Sequence, residues 1–192
     1  MRLLLGTLFT LLVAAAVGLG ATYLALTRGG GFGTLTIGSW TARPKSGTAD
    51  IDPYGQAAVA RLGRLPVALG DGLEFVARHD DKGRLLDGRC DVVLSGVTPT
   101  ARYWTLTLYG ANGELVANSM QRHGFTSQEI VRRADGSFDI AVAPRASPGN
   151  WLPTGGVERY VLVLRLYDTS VGVSTKEGRE VPMPALTVRS CP

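Results

Sequence analysis

"ERYVLVLRLYD", Glu158 to Asp168, decides the architecture. Its centre is apolar at successive positions, so both faces of an extended chain want cover. Such a run belongs inside a sheet, with a neighbour along each edge. Arg165 interrupts it, on the face shared by Val161, Val163 and Tyr167. A charge in a central strand must reach a partner or the rim of the sheet. One reading is an anion-binding arginine beside Tyr167. The preferred reading is a structural ion pair, with Asp139 of "FDIAV" as the expected partner.

The stretches around it read the same way. "RYWTLTLY" (Arg102–Tyr109) alternates, with Trp104, Leu106 and Leu108 on one face and Tyr103, Thr105, Thr107 and Tyr109 on the other. "GANG" (Gly110–Gly113) predicts a hairpin into "ELVAN", and "ADGS" (Ala134–Ser137) one between "QEIVRR" and "FDIAVAP". "LEFVAR" (Leu73–Arg78), "CDVVLSG" (Cys90–Gly96) and "PALTVRSC" (Pro184–Cys191) supply further strands, and "TLTI" a short one. Short strands parted by Gly, Asp and Asn turns predict a mainly β fold, an antiparallel β-sandwich resembling a jelly roll. One short helix is expected in "DIDPYGQAAVARLGR" (Asp50–Arg64). Asp52 would be its N-cap, Pro53 its first residue and Gly63 its stop.

The N-terminus is of another kind. No charge falls between Arg2 and Arg28. A helix of that length exceeds a hydrocarbon core of about 30 Å. A cleavable signal has an apolar stretch of only about 7–15 residues, so residues 1–28 read as an uncleaved single-pass anchor. The alternative is a cleaved signal, with "VGLGA" (Val17–Ala21) imitating a cut site. Residues 29–36 read as a glycine-rich linker and 37–192 as the β domain. Flanking positive charge barely discriminates orientation. Long domains translocate largely regardless of charge, so the expected location is the inner (cytoplasmic) membrane with the domain on the periplasmic side.

In that compartment Cys90 and Cys191 are expected to form a disulfide, tying the C-terminus to an internal strand. Two unrelated buried thiols are the alternative. Of the 20 basic residues, two flank the anchor, leaving 18 against 16 acidic ones. That mild excess argues against nucleic acid as a partner. The expected partner is membrane lipid around the N-terminal helix; the Ala14, Gly18 and Thr22 stripe could pack two anchors into a homo-oligomer, and the competing, preferred reading is a chance pattern in an alanine-rich span. Arg61 and Arg64 stand ready for acidic headgroups or simply for solvent.

No nucleophile elbow, phosphate loop, dinucleotide fingerprint or Cys-x-x-Cys is present. His79 precedes Asp80 and Asp81 in a turn, which reads as a solvated turn rather than a metal site. His123 has no nearby acid or cysteine, and a loop histidine bonded to backbone is preferred over a base; Ser95, Ser119 and Ser127 have no local activating context. No catalytic residue, metal or cofactor is therefore expected. The candidate ligand-binding set gathers around "PGNWLPTGG" (Pro148–Gly156): Asn150 and Trp151, with Arg159, Arg165 and Tyr167 expected at the same end of the sheet. The competing and preferred reading is a corner. There Trp151 plugs the open end of the sandwich, and Pro148, Gly149 and Pro153 set the bend.

"RYWTLTLYGANGELV", "RADGSFDIAVAPRASPG" and "NWLPTGGVERYVLVLRLYD", in that order, resemble domain-of-unknown-function family 1214 (DUF1214), over roughly Ile37 to Cys191. The resemblance implies a predominantly β domain. Many such chains carry a preceding domain of family 1254. This chain shows an anchor in that place, so a separate 1254-type protein is a further expected partner. The resemblance carries over no catalytic residue. The functional expectation is a membrane-anchored envelope domain with a non-enzymatic binding or assembly role. The alternatives are a hydrolase of a lipid or cell-wall component using a serine or His123, and a subunit that pairs with a 1254-type domain.

Overall fold

In the computed structural model, residues 2–28, 33–62, 66–68, 70–171 and 181–192 are described. The expected helix stop at Gly63, Arg64, and linker residues 29–32 lie outside them. The strands are β1 (Leu35–Ile37), β2 (Trp40–Ala42), β3 (Gly72–Ala77), β4 (Asp91–Gly96), β5 (Ala101–Gly110), β6 (Gly124–Thr126), β7 (Phe138–Ala143), β8 (Asn150–Pro153), β9 (Tyr160–Thr169) and β10 (Ala185–Ser190). The helices are α1 (Arg2–Arg28) and α2 (Pro53–Leu62), with a 3-10 turn at Pro44–Gly47.

β9 is bonded along both edges, to β3 and to β5, as its two-sided apolar run requires. The sheet built around it has the order β1-β2-β3-β9-β5-β6. A second sheet has the order β10-β4-β7-β8. The core lies between them. Phe75, Leu106, Leu164 and Leu166 of the first sheet belong to one buried cluster with Val92, Leu94, Ile140 and Leu186 of the second. Trp104 stacks on Phe138 across the gap, ring centroids 5.3 Å apart. β5 buries Trp104, Leu106 and Leu108 and leaves Tyr103, Thr105, Thr107 and Tyr109 half-buried on the outer face, which is the predicted alternation.

Helix α2 begins as its sequence predicts. The Asp52 carboxylate accepts the backbone N–H groups of Tyr54 and Gly55, each at 3.0 Å, and Pro53 opens the helix. Helix α1 carries a 24-residue span, Arg2–Ala25, of mean hydropathy 2.3, and none of it is buried against the rest of the protein. It is long and apolar enough to cross a membrane.

Three expectations need correction. The sandwich is not purely antiparallel, because β8 runs parallel to β7, with Ile140 opposite Asn150 and Ala143 opposite Pro153. "QEIVRR" is no strand, since β8 occupies the edge of β7 that it would have used. Its turn does form, with Arg133 N–H bonded to Ser137 O and Gly136 N–H to Arg133 O. "ELVAN" meets β5 only through the bridge between Tyr109 and Leu115, and the longer partnership goes to β6.

Candidate functional site

Residues 144–149 join β7 to β8, and this connection forms one wall of two hollows on the face of the four-stranded sheet. Parallel neighbours usually need a crossover of about a dozen residues or more. Here the chain only steps back from Ala143 to the level of Ile140, about 10 Å at a strand's rise. Six extended residues span about 20 Å, so the loop reaches. Pro148 and Gly149 complete the return, Gly149 with φ +82, a left-handed value that favours glycine.

The opening residues of β8 are therefore a strand and not a corner. Asn150 is 8% exposed, and its amide is fully engaged. Its Oδ1 accepts Val131 N–H at 2.9 Å, while its Nδ2 donates to the carbonyls of Val131 and Asp139, both at 2.8 Å. This side chain supplies to "QEIVRR" the bonds a strand partner would have supplied. Trp151 does not plug the end of the sandwich. It stands on the outer face of the four-stranded sheet, in register with Ala141, and its indole N–H donates to Ala143 O at 3.0 Å.

Arg165 and Tyr167 lie in the other sheet, so the five proposed ligand residues do not converge. Arg165 Nε donates to Glu74 Oε2 at 2.8 Å, and the pair is half-buried, with side-chain exposures of 20% and 23%. The ion pair is real but its partner is Glu74, directly opposite on β3, not Asp139. Asp139 belongs to the other sheet and pairs with Arg133. Arg165 also reaches the Tyr109 hydroxyl at 3.4 Å. Burial opposes its charge, yet the Tyr109 hydroxyl and the Glu74 carboxylate outweigh that and raise its pKa. Tyr167 lies against Tyr103, ring centroids 5.9 Å apart. Arg159 bridges to Asp87 through the backbone, ahead of β9. Asp87 itself is gripped by the Arg89 guanidinium and amide, which hold its pKa down to about 2.

The "HDD" turn is structural rather than merely solvated. The Asp80 carboxylate is buried and accepts the Lys82 and Arg84 amides and the Arg84 guanidinium. Burial alone would raise its pKa, but those bonds more than compensate and lower it. Asp81 binds Ser39 and accepts Leu186 N–H at 2.8 Å, pinning β10. Among the described residues no three His, Cys, Asp or Glu side chains gather as a metal site. His123 Nδ1 lies 3.0 Å from Val116 O, which requires the ring proton on that nitrogen. The Ser127 hydroxyl accepts Trp104 N–H at 3.4 Å. Cys90 and Cys191 are disulfide-bonded across 101 residues, as expected.

The concave surface lies on the outer face of the four-stranded sheet. Two adjoining hollows of about 270 and 260 Å³ share Val93, Ala141, Ser147 and Arg189 in their walls. Val93 is outside the core cluster yet only 5% exposed, so the chain itself covers it from above. Arg145 of the 144–149 loop lines the first hollow, and Asn150, Arg132 and Arg133 line the second. Of the sequence-derived set only Asn150 reaches this groove. Arg145 and Arg189 escaped that reading. Strand parity on "LTVRSC" does put Arg189 outward beside Thr187, but nothing in sequence brings the 144–149 loop over β4.

A protein-family model described as "Protein of unknown function (DUF1214)" matches residues 71–171, more than half of the chain. The chain belongs to that family. The match is narrower than the resemblance, which ran from Ile37 to Cys191. Among solved structures, the VPA0106 protein from Vibrio parahaemolyticus is similar, with 23% identity and a TM-score of 0.58. The likeness covers 73% of this chain and 36% of that one, and it shows the fold. An uncharacterised protein from Burkholderia cenocepacia is 16% identical, with a TM-score of 0.46, over 69% of this chain and 33% of that one. The chain thus spans about a third of the length of these solved proteins. No curated protein matches it.

Proposed function

We infer that this is a membrane-anchored envelope domain, held in the inner membrane by α1, with its β-sandwich on the periplasmic side and a binding or assembly role. One pairing of features carries the reading: a helix of mean hydropathy 2.3 with no burial inside the protein, and a disulfide-closed domain beyond it. Disulfides persist in oxidising compartments and are rare in a reducing cytosol, so the disulfide favours the exported side. The side chains that first suggest chemistry have internal employment: Asn150 and His123 hold backbone, and Arg165 is matched by Glu74. That favours binding over turnover.

The test is protease digestion of spheroplasts carrying the full chain with a C-terminal tag, alongside N-terminal sequencing of the membrane-bound protein. The expected outcome is loss of the tag without lysis, with Met1 or Arg2 as the retained N-terminus. Protection of the tag until lysis would overturn the orientation. A mature N-terminus beyond Ala21 would overturn the anchor.

A further inference from the structure

We propose that the groove on the outer face of the four-stranded sheet is an anion site that takes a phosphate ester, gripped between Arg145 and Arg189. The proposal does not depend on which way α1 is oriented.

The argument begins with the charges around the groove. Arg132, Arg133, Arg145 and Arg189 line it, against Asp91 and Asp139. Asp139 is neutralised by Arg133. Asp91 accepts the Ser190 hydroxyl at 2.8 Å. Arg132 donates to Gly136 O at 3.0 Å and lies over the Phe138 and Trp104 rings. The Arg145 and Arg189 guanidinium groups make no ion pair or hydrogen bond among the described residues, and both residues line the first hollow. Two guanidinium groups against the one Asp91 carboxylate leave the first hollow with net positive charge, which draws anions into it.

Chemistry then selects the ligand. A guanidinium presents a planar fork of N–H donors that fits phosphate or carboxylate oxygens two at a time. The Ser147 hydroxyl adds a donor on the wall shared by both hollows. The floor is Val93 and Ala141, with Ala143 at one end. Small apolar side chains leave room for a ligand body beneath a charged head. A phosphate ester, with a doubly coordinated anionic group and a short carbon skeleton, matches that division. Two sources share this chemistry: a soluble phosphate ester and the headgroup of an anionic phospholipid.

The experiment follows the thermal unfolding midpoint of the full chain in neutral detergent at constant ionic strength. Chloride is exchanged for inorganic phosphate or for glycerol 3-phosphate. In parallel, the protein is placed in nanodiscs of phosphatidylcholine with or without phosphatidylglycerol, and hydrogen exchange is read over residues 144–149. A ligand that binds the folded state raises the midpoint by mass action. The expected result is a rise with glycerol 3-phosphate, or added protection of the loop with phosphatidylglycerol, and the loss of that response in R145Q/R189Q. Loop protection by phosphatidylglycerol identifies a lipid headgroup, and a rise with glycerol 3-phosphate without that protection identifies a soluble ester. Losing both forks should weaken binding by about tenfold or more. Both side chains are exposed, so the variant should keep its wild-type midpoint in chloride. An equal response in wild type and variant overturns the proposal, as does no response to either phosphate source.

Discussion

The two sheets reach the same end by different means. The six-stranded sheet rests on β5 and β9, ten residues each, paired from Ala101–Thr169 to Gly110–Tyr160. A slip of one residue would turn Trp104, Leu106 and Leu108 outward, so the hydrophobic pattern alone fixes the register. The four-stranded sheet has no strand longer than six residues among β4, β7, β8 and β10. Its alignment leans on side-chain and covalent staples: the Cys90–Cys191 disulfide, Asp81 on Leu186, Trp40 Nε1 on Pro184 O at 2.8 Å, and Asn150 on Val131 and Asp139. Long strands carry their own instructions, whereas short ones borrow them from side chains. The outer face of the short-stranded sheet is also where the arginine groove lies.

The sharpest way to break this comparison is to open the disulfide. C90S/C191S should lower the stability of the full chain by about 2–4 kcal/mol in urea unfolding, because the bond closes a long loop. Amides of Val92, Leu94 and Val142 should then lose hydrogen-exchange protection before those of Leu162 and Leu164. Simultaneous loss in both sheets would mean that they do not differ in self-sufficiency.

A smaller effect is expected at Asn150. N150A strips the partners from Val131 and Asp139 backbone groups, which costs about 1–3 kcal/mol. The loss should appear as faster exchange over residues 128–133, since that segment has no strand partner among the described residues. The smallest effect belongs to the self-sufficient sheet. A double-mutant cycle of R165M and E74Q should give a coupling of at most about 1 kcal/mol, because the pair is half-buried and β9 keeps both its neighbours. A coupling well above that would place Arg165 among the staples.

Legibility followed the range of the interactions. The alternation of "RYWTLTLY", the two-sided run of "VLVLRLY", the Asp52–Pro53 helix start and the apolar N-terminus rest on neighbours a few residues apart, and each was readable from the chain itself. The disulfide was readable as a possibility because only two cysteines exist. Tertiary structure decided the rest. Arg165 took Glu74 as its partner through the β3–β9 register, 91 residues away in sequence. "NWLP" became a parallel strand because β7 had a free edge, and that displaced "QEIVRR". Arg145 and Arg189 came to one groove only when a loop folded back over a sheet face. Local backbone preferences act within a turn or a strand and are written in adjacent residues. Which edge is free, and which charges share a hollow, depends on how distant strands pair, and no short window of sequence contains that.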